Sequence, residues 1–399
     1  MTQAAPPEPK PRTPYRTEDA LRKVEELQAE LDALRHSLER APAPRPAPTR
    51  RVSGVRVSIG LLALLGATFG MAAMGLRHRP SVVESVSPFT PPVPAVALVP
   101  GRAATMPIDA HTTENLRGVW SGPDGAFVVG DHGTALFRDA DGGVSTVPTS
   151  TKEDLYAVAG SPVLAVGDRG TVLRFDTDVK AWAQEPMPRP TADLRAVDAL
   201  ATAAVAVGMR GQGYLRAAEG SWLPIKLGDA DLFGVALCAG EESEPHAVVA
   251  AGAGGTIVVA PLETQGSRFR LGTPKRQKVP TDATLRSVHC DGSQVVVAGD
   301  RGVVLSSALG ADQPWILGET PGASLRTLST FRVNGDWTAL ALGRDRMWAR
   351  GTDGAWRRTP FDAQGSTFQS MAVLSDDTLG TALLVVGDHG AVARVDLSP

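Results

Sequence analysis

The sequence predicts an all-β, seven-bladed β-propeller of four-stranded blades, preceded by one transmembrane helix and a short cytoplasmic helix. Three observations carry this expectation. An L-x-x-V-like signature recurs seven times at a period near 40, and most repeats contain a glycine-bounded turn between two apolar runs. A single stretch of 20 residues, 57–76, carries no charge at all.

The leading signatures fall at 116–119, 155–158, 194–197, 232–235, 285–288, 325–328 and 368–371, at intervals of 39, 39, 38, 53, 40 and 43 residues. The long fourth interval predicts an insertion within 240–280, a region rich in Glu, Pro, Gly and Lys. Inside the repeats stand FVVGDHGTALF (127–137), LAVGDRGTVLRF (164–175), VAVGMRGQGYL (205–215), VVVAGDRGVVL (295–305) and LVVGDHGAVARV (384–395). Unbroken apolar runs suit strands packed on both faces. The G-D-x-G segment reads as a hairpin turn, in which Asp bonds nearby backbone N–H groups and glycine supplies φ > 0. Blade six departs, with Gly343, Arg344, Asp345 and Arg346 in place of that turn. Trp182, Trp222, Trp315 and Trp356 mark a fourth strand.

The seventh repeat stops after its third strand, near Val395 or Leu397. The segment ATMPI at 104–108 resembles STVP at 145–148, the fourth strand of the first repeat. Residues 104–108 are therefore expected to complete the seventh blade, which removes the open edges of a linear array.

The first hundred residues read as an anchor and spacer. Residues 1–16 form a Pro-rich disordered tail and 17–40 a helix with Val24, Leu27, Leu31, Leu34 and Leu38 on one seam, a short coiled coil. Residues 41–56 are a Pro/Arg-rich linker and 57–76 a signal-anchor helix, about 30 Å long. Arg40, Arg45, Arg50, Arg51 and Arg56 precede the span, and Arg77 and Arg79 closely follow it. Positive charge inside then places the N-terminus in the cytoplasm of a bacterial cell. The propeller lies in the periplasm, or otherwise outside the inner membrane. A homodimer through helix 17–40 and the Gly66/Gly70 pair is one expectation. Residues 77–103 are a stalk; from 77 to 104, in polyproline II form, the chain would reach about 87 Å. The propeller is expected over 104–399.

Composition narrows the function. The formal net charge is −3, and the residues after the span are the acidic part, against a nucleic-acid partner. No nucleophile elbow, zincin helix, P-loop or dinucleotide fingerprint occurs, so neither an enzyme nor a cofactor is expected. Only Tyr156 and Tyr214 lie in the propeller as tyrosines. Cys238 and Cys290 stand six and five residues past their leading Leu, on opposite strand faces in a simple register, and are expected as buried thiols.

In a propeller the start of each innermost strand and the turn between the second and third strands share one face. Arg117, Arg195, Arg286 and Arg326 follow the leading Leu, and Arg169, Arg210 and Arg301 sit in the turns with Asp131, Asp168, Asp300 and Asp388. Such a mouth could grip carboxylates of a protein or peptide ligand through bidentate hydrogen bonds, and Arg117, Arg195, Arg286, Arg326, Arg169 and Arg301 are the partner-binding candidates. The plainer alternative pairs these arginines with turn aspartates between blades. His132, His389, Asp131 and Asp388 are a weak metal set at the junction of blades one and seven, against solvated turn residues.

The recurrent VVGD(H/R)G turns and downstream tryptophans over 104–399 resemble the photosystem II stability/assembly factor type of propeller, a relative of the sialidase-like BNR propellers. That resemblance implies a propeller fold and a non-catalytic role in binding protein segments, as lumenal assembly chaperones do. The S-x-D-x-G-x-T-W box of true sialidases is absent. The expected function is an extracytoplasmic interaction or assembly scaffold anchored in the inner membrane. Its rivals are a transmembrane sensor acting through helix 17–40 and a carbohydrate-active enzyme built on Tyr156.

Overall fold

Short apolar runs bounded by glycine become the second strand of each blade, buried on both faces. In Ala203–Gly208, AAVAVG, every residue is buried. The computed structural model describes residues 102–398, apart from 189–191, 201–202, 218–219, 240–243, 266–267, 292–293, 310–312, 319–322, 334–335, 352–354 and 375–381. The expected tail, helix 17–40, linker, membrane span, Gly66/Gly70 pair and most of the stalk lie outside the described residues.

Seven antiparallel sheets follow in chain order, and in each the first three strands of the repeat are paired consecutively. The innermost strands are Leu116–Gly122, Leu155–Ala159, Leu194–Leu200, Leu232–Ala239, Leu285–Asp291, Thr327–Val333 and Phe368–Val373. Blade four carries the insertion: its third strand, Thr256–Gln265, pairs first with Arg268–Leu271 and then, nearer its start, with Lys275–Arg276. Blade seven takes its fourth strand from the beginning of the domain. Arg102–Ile108 pairs with Val392–Ser398, placing Thr105 opposite Val395, two residues longer than the sequence predicts but in the expected place. One hydrophobic core then joins the two ends of the propeller, with Leu384, Val386 and Val392 of blade seven packed with Leu116, Val128 and Leu136 of blade one.

Two local devices set the blade geometry. In six blades the innermost strand is irregular just after its leading residue, the register shifting between Leu116 and Gly118 and at the matching places of blades two to five and seven. A bulge leaves the extra residue out of the ladder and re-aims its side chain. The second device is the glycine-bounded turn. Asp131–Gly133 and its counterparts form one 3-10 turn, with the middle residue left-handed (His132 φ 54°, Arg169 φ 54°, Arg301 φ 59°). The first glycine is extended, so its role is space rather than φ. A Cβ on Gly208 would overlap the carbonyl oxygen of Asp193, in the lead-in to its own blade. The last glycine meets the following blade: a Cβ on Gly390 would overlap the carbonyl oxygen of Thr112.

Hydrogen bonds use both approaches. The amides of Asp131 and Asp168 donate to the carbonyls of Asn115 and Asp154 in their own blades, both at 2.9 Å. The amides of His132, Arg169 and Arg210 donate to the carboxylates of Asp154, Asp193 and Asp231 in the next blade, at 2.8, 3.0 and 2.8 Å. The same latch closes the ring. The amide of His389 donates to Asn115 Oδ1 at 3.0 Å and that of Gly390 to the carbonyl of Glu114 at 2.8 Å. Farther out, the buried Glu185 carboxylate joins blades two and three, accepting from Arg174 Nε, Arg216 Nε and Nη2, and Trp222 Nε1.

One expectation is corrected. Cys238 and Cys290 form a disulfide between blades four and five, with Cα atoms 5.3 Å apart. The parity argument against the bond assumes that facing residues share an offset, yet neighbouring blades present opposite faces to each other. Ala157 and Ala159, two and four residues past their leading Leu, pack in one core with Val197 and Ala199, three and five past theirs. Offsets of even and odd parity are therefore the ones that meet.

If these glycines are required for close approach, Gly208→Ala should cost on the order of 3 kcal/mol or more, because a backbone carbonyl must move. Gly254→Ala, whose Cβ would meet nothing within 4 Å, should cost about 1–2 kcal/mol for its left-handed φ alone. Urea denaturation of the two variants distinguishes these outcomes; equal losses would contradict the packing argument.

Candidate functional site

The bulged residues converge on the propeller axis. Arg117, Tyr156, Arg195, Phe233, Arg286 and Gln369, with Arg326 from the segment leading into blade six, line one cavity of ≈ 450 Å³. This is the low end of the range of small-ligand sites, about 300–1,000 Å³. The four arginines read from the sequence as the mouth are thus brought together. Arg169 and Arg301 stand outside this cavity: Arg169 Nε donates to Glu153 at 2.7 Å, and Arg301 pairs with Asp282 on the surface.

Most of the ring is balanced by acid within the same blade. Arg117 grips Asp131 with two bonds, 2.6 and 2.9 Å, and Arg286 grips Asp300 with two at 2.8 Å. These aspartates serve the ring side chain rather than the backbone N–H groups expected of a hairpin, and the pairs lie within blades rather than between them. Burial opposes ionisation of Asp131, but the bonds from Arg117 and Asn115 outweigh it and hold its carboxyl below the usual range. The bond from Arg286 does the same for Asp300. Asp388 accepts from Gln369 Nε2 at 2.9 Å.

Blade two differs. The Tyr156 hydroxyl donates to Asp168 at 3.3 Å, and Arg195 lies 3.7 Å from the Tyr156 ring centroid while reaching Asp193 at 3.2 Å and Asp168 at 3.5 Å. Burial and the nearby Asp193 charge push the Asp168 carboxyl up, and burial pushes the Tyr156 phenol up. A raised phenol pKa works against Tyr156 as a nucleophile.

Among the described residues, Arg326 has no such partner. Its Nε is buried and meets no acceptor. Burial lowers its pKa, as do the charges of Arg286 and Arg344. A buried donor left unmade costs about 1–3 kcal/mol, so this position is held at some expense to stability.

The weak metal set is dispersed. Asp131 and Asp388 are engaged as described, and His132 Nδ1 bonds Glu114 at 2.8 Å, which raises the imidazole pKa. Among the described residues no three His, Cys, Asp or Glu side chains are grouped to hold a metal ion. Phe233 and Gln369 are ring members that the search for arginines passed over. Aligning the repeats on the leading residue finds them, because every residue at that offset faces the axis.

With the geometry in view, comparison with known proteins is informative for architecture. No protein-family model and no curated protein matches the chain. Solved propellers do. YCF48 from Cyanidioschyzon merolae is 15% identical with a TM-score of 0.53, covering 74% of this chain and 98% of its own. YCF48 bound to D1 peptide is 15% identical with a TM-score of 0.54, covering 77% and 100%. The RRP9 WD40 repeats are 12% identical with a TM-score of 0.55, covering 74% and 98%. The likeness is one of fold. YCF48 is a photosystem II assembly factor, the propeller type that the turns and tryptophans of this sequence resemble.

The depressed carboxyls make the ring acid-sensitive. A group with a lowered folded pKa contributes stability above its unfolded value, near 3.9 for Asp, and loses it as pH falls through the folded one. Asp300→Asn should lower stability at neutral pH by about 1–3 kcal/mol, since it breaks a charge-assisted pair. The same variant should lose stability less steeply than the wild type below about pH 4. Urea denaturation across that range tests this; parallel acid limbs would contradict it.

Proposed function

We propose that this chain is a non-catalytic binding propeller that captures a carboxylate-bearing protein segment at its arginine-lined mouth, held on the outer side of the inner membrane by residues 57–76. One observation carries the reading: four arginines from four blades, re-aimed by the bulge in three of them, converge on one open cavity at the axis. Guanidinium groups recognise carboxylates with paired, directional bonds, and a ring of them selects an anionic ligand without performing chemistry on it. The YCF48 propeller bound to D1 peptide supports the idea that this fold can hold a protein segment.

Two features support the outer location. The arginines before the uncharged stretch outnumber those just after it. The Cys238–Cys290 disulfide suits an oxidising compartment, since cytosolic thiols are kept reduced.

A photo-crosslinking amino acid at Thr327, on the cavity wall, should trap a partner in intact cells, while the same group at Val179, exposed between the third and fourth strands of blade two and outside the cavity, should not. Equal trapping at both positions would remove the mouth from the account. Alkylation of thiols at the moment of lysis should find Cys238 and Cys290 oxidised; reduced cysteines in the fresh lysate would contradict the outer location.

A further inference from the structure

The mouth is chemically uneven around its circumference. In blades one, two, five and seven the turn opens with an aspartate that accepts a hydrogen bond from the axial side chain of the same blade. Blade six reverses that charge. Arg344 follows Gly343 where the other turns have Asp131, Asp168, Asp300 or Asp388 after their glycine. Arg326 therefore faces a cation where its counterparts face a carboxylate, and its buried Nε is left without an acceptor. Asp300 and Asp388 act on it only at longer range, because each is committed to the axial side chain of its own blade. Arg344 is exposed and forms no ion pair among the described residues.

The other exception lies one blade away, across blade five. Blades three and four open their turns with Met209 and Ala253 instead of an acid. The axial residue of blade four is Phe233, whose ring centroid lies 5.7 Å from the Arg286 guanidinium. Met209 and Phe233 line the same cavity as Arg326. A cationic sector, unpaired among the described residues, and an apolar sector thus flank the neutralised Arg286.

We infer that blade six is the carboxylate subsite of the mouth and blades three and four its apolar subsite, so that the recognised segment carries a carboxylate beside a large apolar side chain. This rests on the reading of the mouth as a protein-binding site, and it adds which groups are read and where. A ligand carboxylate at Arg326 and Arg344 supplies the acid that blade six lacks just after Gly343, since its own Asp345 is exposed and pairs with Arg346. The adjoining side chain covers Phe233 and Met209, removing apolar surface from water. The carboxylate can be a chain terminus or an Asp or Glu side chain.

Fluorescence anisotropy on the full-length chain tests this with three short labelled peptides: one ending in Leu with a free carboxylate, one ending in Leu-Asp-amide, and one ending in Leu-amide without any acid. At least one acid-bearing peptide should bind about tenfold or more tighter than the acid-free one, and which of the two does so identifies the source of the carboxylate. Arg344→Asp gives Arg326 the partner found in other blades, so it should abolish that preference while thermal stability is kept or raised. A fourth peptide with Ser in place of the Leu beside the acid should bind the wild type more weakly, and Phe233→Ala should erase that preference for Leu. If acid-bearing peptides bind the wild type and Arg344→Asp equally well, or Phe233→Ala changes nothing, the subsite assignment is wrong while the mouth remains a binding site. If the wild type binds none of the peptides, both the assignment and the broader reading fall.

Discussion

Each glycine-bounded turn is held between two lead-in loops, its own and that of the following blade, at distances where a Cβ would collide with backbone oxygen. That close approach lets the turn amides reach carbonyls on one side and side-chain carboxylates or amides on the other. Blade is tied to blade at the same radius each time, so the arrangement propagates around the ring. The last turn meets the first lead-in loop, and Arg102–Ile108 fills the remaining place in blade seven. Removing any one tie leaves polar backbone groups without partners at a junction.

The mouth follows from that same arrangement. In six blades a bulge after the leading residue turns one side chain toward the axis, and in four of these the turn behind it supplies the aspartate that side chain meets. Arg117 and Arg286 are largely spent on Asp131 and Asp300 and hold the ring in shape. Arg195 lies over Tyr156 between two acids. Among the described residues, Arg326 alone of the four meets no carboxylate directly. Structural and recognition roles are therefore divided among residues that look equivalent in the repeat.

Much of this was legible in the sequence because repeats repeat their constraints. The spacing of the leading Leu residues gave the number of blades, and the missing fourth strand of the last repeat led to residues 104–108. The disulfide was misread because the strand faces of single blades were compared, whereas the packing pairs opposite faces of neighbours, as Ala157 and Ala159 against Val197 and Ala199 show. The role of the turn aspartates was misread for another reason. Local chemistry favours a backbone bond, and only the bulge brings Arg117 or Arg286 close enough to compete. The residue just before each leading position is Asn115, Asp154, Asp193, Asp231, Thr284, Ser324 or Thr367, polar in all seven. In hindsight that column announces the inter-blade latch.

The central claim is that the ring closes on itself through its first strand. Native-state amide hydrogen exchange measures this directly at residues 104–108. Closure predicts that amides of this strand bonded to Val392–Ser398 exchange only as fast as those core amides do, since both open in one event. Exchange of 104–108 at the rate of a fraying terminus, with 392–398 still protected, would contradict the account.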